Sequence, residues 1–298
     1  MPSPLAKTQN TFWGKVKFYL KSVVFGSLIV GCALYGVIAS ILLRIVNKIE
    51  YSQFTVAKAF YSSLSVALGL KINVKNEKYL SSNPAIYISN HQSALDIYVL
   101  GKIFQPGYFV TGKKSLKYVP FLGWFMALSG TFFLDRSKSD KARKVLDSAL
   151  TSLKKQDRAL FIFPEGTRSG TEELEFLPFK KGAFHLAKQA GIPIVPIVVS
   201  NTSTIFNSKR KFFNGGEINI EILPPVSTEN LVTNEDVTKL SLKVREDMLA
   251  AYQRVGYSIA SGTKLNEDVV SPIATSDDHH TDTETEIITE NTPLVSKG

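Results

Sequence analysis

Twenty-two consecutive residues without a charge, Ser22–Leu43, constrain this chain more than any other stretch of it. As a helix rising ~1.5 Å per residue the run is roughly 33 Å long, against a hydrocarbon core of about 30 Å. Lys7, Lys15, Lys17 and Lys21 precede it with no acid among them, and Arg44 and Lys48 follow. Basic flanks on both sides leave its orientation open. The run is too long for the ~7–15-residue apolar core of a cleaved signal peptide. Gly26, Gly31, Gly36 and Ser40 supply small residues that permit close helix packing. The reading is a transmembrane or membrane-embedded helix over 22–43 behind a basic segment, 1–21. Next, Gln53–Leu70 places Val56, Phe60, Leu64 and Leu68 on one side at helical spacing. That predicts an amphipathic helix within 44–70, lying in the membrane interface or packing on the first segment, with an ordinary first helix of the folded domain as the alternative.

Charge is spread unevenly over the 298 residues, whose formal total is +9. Residues 263–298 hold eight acids against two lysines, a net of −6, and lack a periodic apolar pattern; they read as a disordered tail. The rest therefore carries +15. A folded part this basic expects an anionic partner, either nucleic acid, a phosphorylated substrate or a lipid surface. No nucleic-acid recognition motif accompanies the charge, so that partner is set aside. The single cysteine, Cys32, excludes a disulfide framework and a cysteine-ligated zinc or iron–sulfur site.

Between residues 71 and 262 short β-rich runs alternate with helical patterns. Strands are predicted at Ile72–Val74, Ala85–Ser89, Tyr108–Thr111, Thr131–Leu134, Leu160–Phe163, Ile194–Val199 and Ile218–Ile222. Helices are predicted at Ala94–Lys102, Lys141–Lys155, Lys181–Ala190 and Asp236–Val255. Such alternation predicts an α/β domain with a mixed, largely parallel sheet flanked by helices. Several strand runs are apolar throughout, as strands covered on both faces are. The prolines of Ile192-Pro193-Ile194-Val195-Pro196-Ile197 predict an edge or wall position, with room beside it for an apolar groove.

Four polar blocks follow strands. In Asn90-His91-Gln92-Ser93-Ala94-Leu95-Asp96, His91 and Asp96 are five apart, about 140° out of alignment on a continuous helix. They meet only if His91 lies in the strand-to-helix turn and Asp96 in the first helical turn. The Ser93-x-x-Asp96 spacing of a helix start supports that break. A carboxylate on the imidazole fixes its tautomer and leaves the other nitrogen as a general base. Taken alone, Asp96 serves equally as a helix cap and His91 as a hydrogen-bonded turn residue. No Gly-x-Ser-x-Gly elbow is present, so a protein nucleophile is disfavoured and activation of a substrate hydroxyl is favoured.

Phe163-Pro164-Glu165-Gly166-Thr167-Arg168 forms a tight turn at a strand end, where α/β sheets place their ligands. Gly166 lets backbone approach a ligand, Thr167 offers a hydroxyl, and Arg168 a planar fork suited to phosphate. Glu165 is positioned in sequence to hold that guanidinium. A surface turn with a solvated ion pair remains the alternative. Arg136, with Asp135, and Lys113, with Lys114, add cations at two further strand ends. The basic aromatic run Lys209-Arg210-Lys211-Phe212-Phe213 suits anionic headgroups or a solvated loop equally. His91, Lys113, Arg136 and Arg168 would share one edge of a parallel sheet.

In this order the His-x4-Asp and Glu-Gly-Thr-Arg blocks resemble the glycerolipid acyltransferase superfamily, and most closely the 1-acylglycerol-3-phosphate acyltransferases of eukaryotic membranes. Thr111-Gly112-Lys113-Lys114-Ser115-Leu116 departs from the family's small-Lys-x-Glu-Leu pattern, which leaves open which lysine touches substrate. The resemblance implies that His91, held by Asp96, takes the proton of the sn-2 hydroxyl of lysophosphatidic acid, which attacks acyl-coenzyme A to give phosphatidic acid. It implies a phosphate site of Arg168, Arg136 and Lys113 shaped by Glu165, Gly166 and Thr167, with no metal and no resident cofactor. It also implies membrane lipid as a partner and a catalytic domain on the cytosolic face of the endoplasmic reticulum. Glycerol 3-phosphate or another lysophospholipid remains an alternative acceptor. From another class, so does a non-catalytic phosphatidic-acid binder.

Overall fold

The computed structural model describes residues 11–134 and 158–262. The predicted helix Lys141–Lys155, the Asp135–Arg136 pair and the acidic tail fall outside them. Helix α1 runs over Phe12–Ile45, ten residues earlier than the uncharged stretch, because the Thr11 hydroxyl accepts from Gly14 N at 3.1 Å and starts it ahead of Lys15. Helix α2, Ser52–Leu68, packs antiparallel along α1 after a short turn. A methyl group at Gly36 would fall 2.5 Å from the Phe125 ring and 2.9 Å from Val56, so only glycine lets α1 seat between α2 and α4, Leu122–Leu128. Farther along α1, Phe18 stacks on Phe206, Lys21 donates to Leu68 O at 3.3 Å, and Arg44 to Leu128 O at 3.0 Å. The helix thus lies against the domain from residue 18 to residue 44.

Among the described residues, eight of the ten strands form one sheet in the order β1-β9-β6-β2-β5-β3-β4, with β10 paired to β9. They are β1 (Leu70–Lys75), β2 (Ala85–Ser89), β3 (Tyr108–Lys113), β4 (Phe132–Leu134), β5 (Ala159–Ile162), β6 (Ile194–Val199), β9 (Gly216–Ile222) and β10 (Ile259–Ala260). β6, β2, β5, β3 and β4 are mutually parallel, whereas β9 runs antiparallel to β6 and carries β1 with it. The fold is therefore α/β with a mixed, mostly parallel sheet. β7 (Phe206–Asn207) and β8 (Phe212–Phe213) make a separate hairpin.

Side chains alternate between two cores, as pleating requires. Tyr87, Phe161, Val195 and Ile197 meet α2 and α3 (Asp96–Ile103) on one face. Ile86, Ile88, Leu160, Ile194 and Val198 meet α5 (Gly182–Ala190) and α6 (Asn234–Val255) on the other. Every residue of β2 and β6 is buried, which accounts for their uninterrupted apolar sequence. Truncating one of these side chains to alanine costs ~2–5 kcal/mol.

One expectation is corrected here. β6 is an interior strand, paired to β2 on one side and β9 on the other, so Ile192–Ile197 is not at an edge. Its pairing with β9 begins only at Ile197, and at Pro196 the neighbouring Leu223 N donates to the proline carbonyl at 2.9 Å. Pro196 thus sits where the ladder asks for an acceptor and not for the N–H it lacks.

Candidate active site

The shared direction of β2, β5, β3 and β6 delivers the turns that follow them to one edge of the sheet. β2 ends at Ser89 and α3 begins at Asp96, two residues later than predicted, leaving His91 in an extended turn. That break lets the side chains meet: His91 Nδ1 lies 2.5 Å from Asp96 Oδ2. The same oxygen accepts from Gln92 N at 2.8 Å and from Ser93 N at 3.2 Å. An oxygen already taking two N–H groups is an acceptor, so Nδ1 carries the proton and Nε2 is the basic atom. Ser93 does not complete the capping pair; its hydroxyl accepts from Leu95 N instead, at 3.1 Å.

The turn is fastened on both sides. Asn90 and Val199 exchange hydrogen bonds of 2.9 Å, and the Gln92 amide donates to Val199 O and Ser200 O while its oxygen takes Thr202 N. On the other side Ser169 N donates to His91 O at 2.8 Å and Gly170 N to Gln92 O at 3.2 Å. The imidazole stacks on Phe163, with centroids 4.1 Å apart and planes 16° from parallel. These contacts fix the ring's plane as well as its tautomer. Neither Asn90 nor Gln92 stood out in sequence, because a polar side chain that bonds mainly to backbone carries no spacing signal.

Arg168 is brought beside His91, since Ser169 is bonded to it directly. Arg168 and Thr167 are exposed, and among the described residues Arg168 has no carboxylate partner. Glu165 is placed differently from expectation. Instead of gripping Arg168, it is 3% exposed and spends both oxygens on backbone: Oε1 on His91 N at 2.7 Å and Oε2 on Leu177 N at 3.0 Å. A carboxylate so committed braces the turn and is not available to a substrate phosphate. Burial pushes its carboxyl above the usual range, opposed by those two N–H bonds.

Gly166 has φ +72°, a left-handed backbone that favours glycine, while a methyl there would meet only the flexible end of Lys180, at 2.9 Å from Cε and Nζ. Lys113 ends β3 on the same edge of the sheet and is exposed. Arg136 lies outside the described residues. Among those residues no group of three His, Cys, Asp or Glu side chains is placed to hold a metal ion.

Two cavities adjoin this turn. A polar cleft of about 340 Å³ is lined by Gln92, Ser93, Arg168 and Thr171, and by Phe206–Lys209 of the hairpin. An apolar cavity of about 150 Å³ lies among α1–α4, where Ile97, the residue after Asp96, faces Val56, Phe125 and Met126.

The acyltransferase family model matches residues 71–200, the stretch that contains both constellations. Over 261 residues the chain is 52% identical to the 1-acyl-sn-glycerol-3-phosphate acyltransferase of Saccharomyces cerevisiae, covering 88% of this chain and 84% of that one. The chain belongs to this acyltransferase family. It is also 34% identical over 227 residues to human 1-acyl-sn-glycerol-3-phosphate acyltransferase beta, covering 75% of this chain and 79% of the human one. In fold it is similar to the crystal structure of the 1-acyl-sn-glycerophosphate (LPA) acyltransferase PlsC from Thermotoga maritima. There the TM-score is 0.63 at 24% identity, over 82% of this chain and 95% of that one.

Proposed function

We propose that this acyltransferase moves an acyl group from acyl-coenzyme A to the sn-2 hydroxyl of lysophosphatidic acid, giving phosphatidic acid and free coenzyme A. His91 Nε2 takes the hydroxyl proton as the oxygen attacks the thioester carbonyl. As the tetrahedral intermediate collapses, the carbon–sulfur bond breaks and the imidazolium returns the proton to the departing thiolate. Asp96 holds Nδ1–H and balances the transient positive charge. Positioned base catalysis of this kind is worth ~10²–10⁴-fold. Arg168 binds the acceptor's phosphate, with Thr167 and Lys113 beside it, while Gly166 keeps the turn open and Glu165 braces it. The apolar cavity among α1–α4 suits an acyl chain, because its walls are almost wholly hydrocarbon.

The 2.5 Å contact of His91 with Asp96, close in the chain fold to an exposed Arg168 that has no carboxylate partner among the described residues, carries this reading. A binder of phosphatidic acid needs the guanidinium but not the imidazole–carboxylate pair. Acyl transfer from acyl-coenzyme A to lysophosphatidic acid, measured on purified wild type and His91→Ala, tests it. A fall of about 10²–10⁴-fold in kcat with lipid binding retained is expected; unchanged turnover overturns it.

We infer further that α1 works in the membrane surface. At ~1.5 Å per residue its 34 residues reach about 51 Å, beyond the ~30 Å of a bilayer core. Only 22% of its most apolar stretch is buried, whereas a helix in a soluble core is mostly covered. Trp13, Val23, Ile38 and Leu42 face outward along it, with Val66 and Trp124 from α2 and α4 exposed nearby. A helix packed on the domain along one side and apolar on the other fits one leaflet better than a perpendicular crossing. Acyl-coenzyme A is a cytosolic donor, which favours the cytosolic face of the endoplasmic reticulum.

A further inference from the structure

Three cations follow one another at the tip of the β7–β8 hairpin, and they are used differently. Arg210 is held by Glu172 through Nε and Nη2, each at 2.8 Å, and Lys211 lies 5.5 Å over the Phe18 ring of α1. Lys209 is exposed and lines the polar cleft together with Arg168, and among the described residues it has no carboxylate partner. Ser203 lines the same cleft. It is 8% exposed, and its buried hydroxyl makes no hydrogen bond among the described residues. A buried hydroxyl left in that state is costly unless a ligand supplies the partner.

Glu172 sets this arrangement. Four residues beyond Arg168, it accepts from Asn207 Nδ2 at 2.7 Å as well as from Arg210, and Asn207 Oδ1 takes Arg210 N at 2.9 Å. Asn207 and Arg210 bracket Lys209 in sequence. One carboxylate therefore ties the hairpin tip to the loop that carries Arg168, and mounts Lys209 and Arg168 on a single cleft.

We propose that Lys209 is a further phosphate-binding residue, which with Arg168 and the Ser203 hydroxyl holds the acceptor's phosphate monoester on the hairpin side of the cleft, and that Glu172 is its positioning residue. The assignment rests on the acceptor reading above. A phosphate monoester carries ≈ −1.5 to −2 charge at pH 7 and three acceptor oxygens. One guanidinium matches that charge only in part, while two cations and a hydroxyl match both charge and oxygens. A phosphodiester headgroup brings one charge and extra atoms, so this cleft selects lysophosphatidic acid over lysophospholipids with larger headgroups. Coenzyme A and anionic bilayer lipids carry phosphates too, and the experiment separates all three sources.

Steady-state acyl transfer by the full chain is measured in neutral-detergent micelles, varying lysophosphatidic acid and acyl-coenzyme A in turn. Lys209→Ala is expected to raise KM for lysophosphatidic acid about tenfold, with kcat within about twofold and the donor KM unchanged. Lys209→Arg is expected to stay near wild type. Glu172→Ala is expected to raise the same KM in the wild-type background and to add nothing in the Lys209→Ala background. An unchanged acceptor KM overturns the proposal. So does a rise in donor KM that vanishes with a 3′-dephospho-coenzyme A thioester, which assigns Lys209 to the nucleotide. An effect seen only when anionic lipid is added to the micelles also overturns it, assigning Lys209 to the membrane surface. Wild type that transfers nothing to lysophosphatidic acid overturns the acceptor reading itself, whereas a flat acceptor KM in an active enzyme overturns this assignment alone.

Discussion

The two sides of the site are built on opposite terms. Around His91 the groups that hold the ring are matched by protein: Asp96 Oδ2 takes three hydrogen bonds, Glu165 takes two, and the ring is stacked on Phe163. Arg168 and Lys209 are exposed and, among the described residues, have no carboxylate partner. Each suits its proposed task. A base must hold one geometry before substrate arrives, so its hydrogen bonds are completed by protein. A phosphate site must keep donors unpaired, since every internal partner competes with the ligand.

The strongest way to break this contrast is Asp96→Asn, which keeps the shape and removes the charge. It is expected to lower kcat by ~10²–10⁴-fold with little change in acceptor KM, measured by steady-state kinetics. Arg168→Ala probes the other side. It is expected to raise KM for lysophosphatidic acid about 10–100-fold while moving the donor KM far less. If only the donor KM moves, the phosphate lies elsewhere.

Gly166→Ala sharpens the border between the two sides by forcing a Cβ onto a left-handed residue against Lys180. A loss of about 1–2 kcal/mol in thermal or denaturant unfolding is expected.

The smallest effect concerns Glu165 and pH. Burial raises its carboxyl in the fold above the ordinary value near 4.5, so the folded state holds that proton more tightly than the unfolded chain. Its stabilising contribution is therefore full below about pH 4.5 and is lost as pH rises through the folded value, by at most ~1.4 kcal/mol per pH unit. The melting-temperature advantage of wild type over Glu165→Gln is expected to shrink across that interval. A widening gap would show the carboxylate to be preferred ionised.

Much of the scaffold was legible because its signals are local. The apolar runs Ala85–Ser89 and Ile194–Val199 coincide with β2 and β6, and the His91–Asp96 spacing by itself demanded the turn that separates β2 from α3. What stayed hidden depends on distant partners. Glu165 stands three residues from Arg168 and reads as its counter-ion, yet the fold turns it inward to His91 N and Leu177 N. β7 and β8, two residues each, are too short for a strand pattern, so Lys209 read as one of three equivalent cations. Pro196 misled because the absence of a donor matters only where a neighbour needs one, and that is decided by where β9 ends. Helix α4 was missed because its seven apolar residues have no polar face to reveal a period.

One link outlasts the distinction between the two sides. The amide of residue 91 hangs from an oxygen of residue 165, itself one step from Gly166 and three from the guanidinium. On the proposed assignment, a lysolipid that seats badly in the cleft would displace a loop separated from the proposed proton acceptor by only a few bonds. Discrimination against wrong headgroups should then surface in how fast a bound molecule reacts, and not solely in how long it stays.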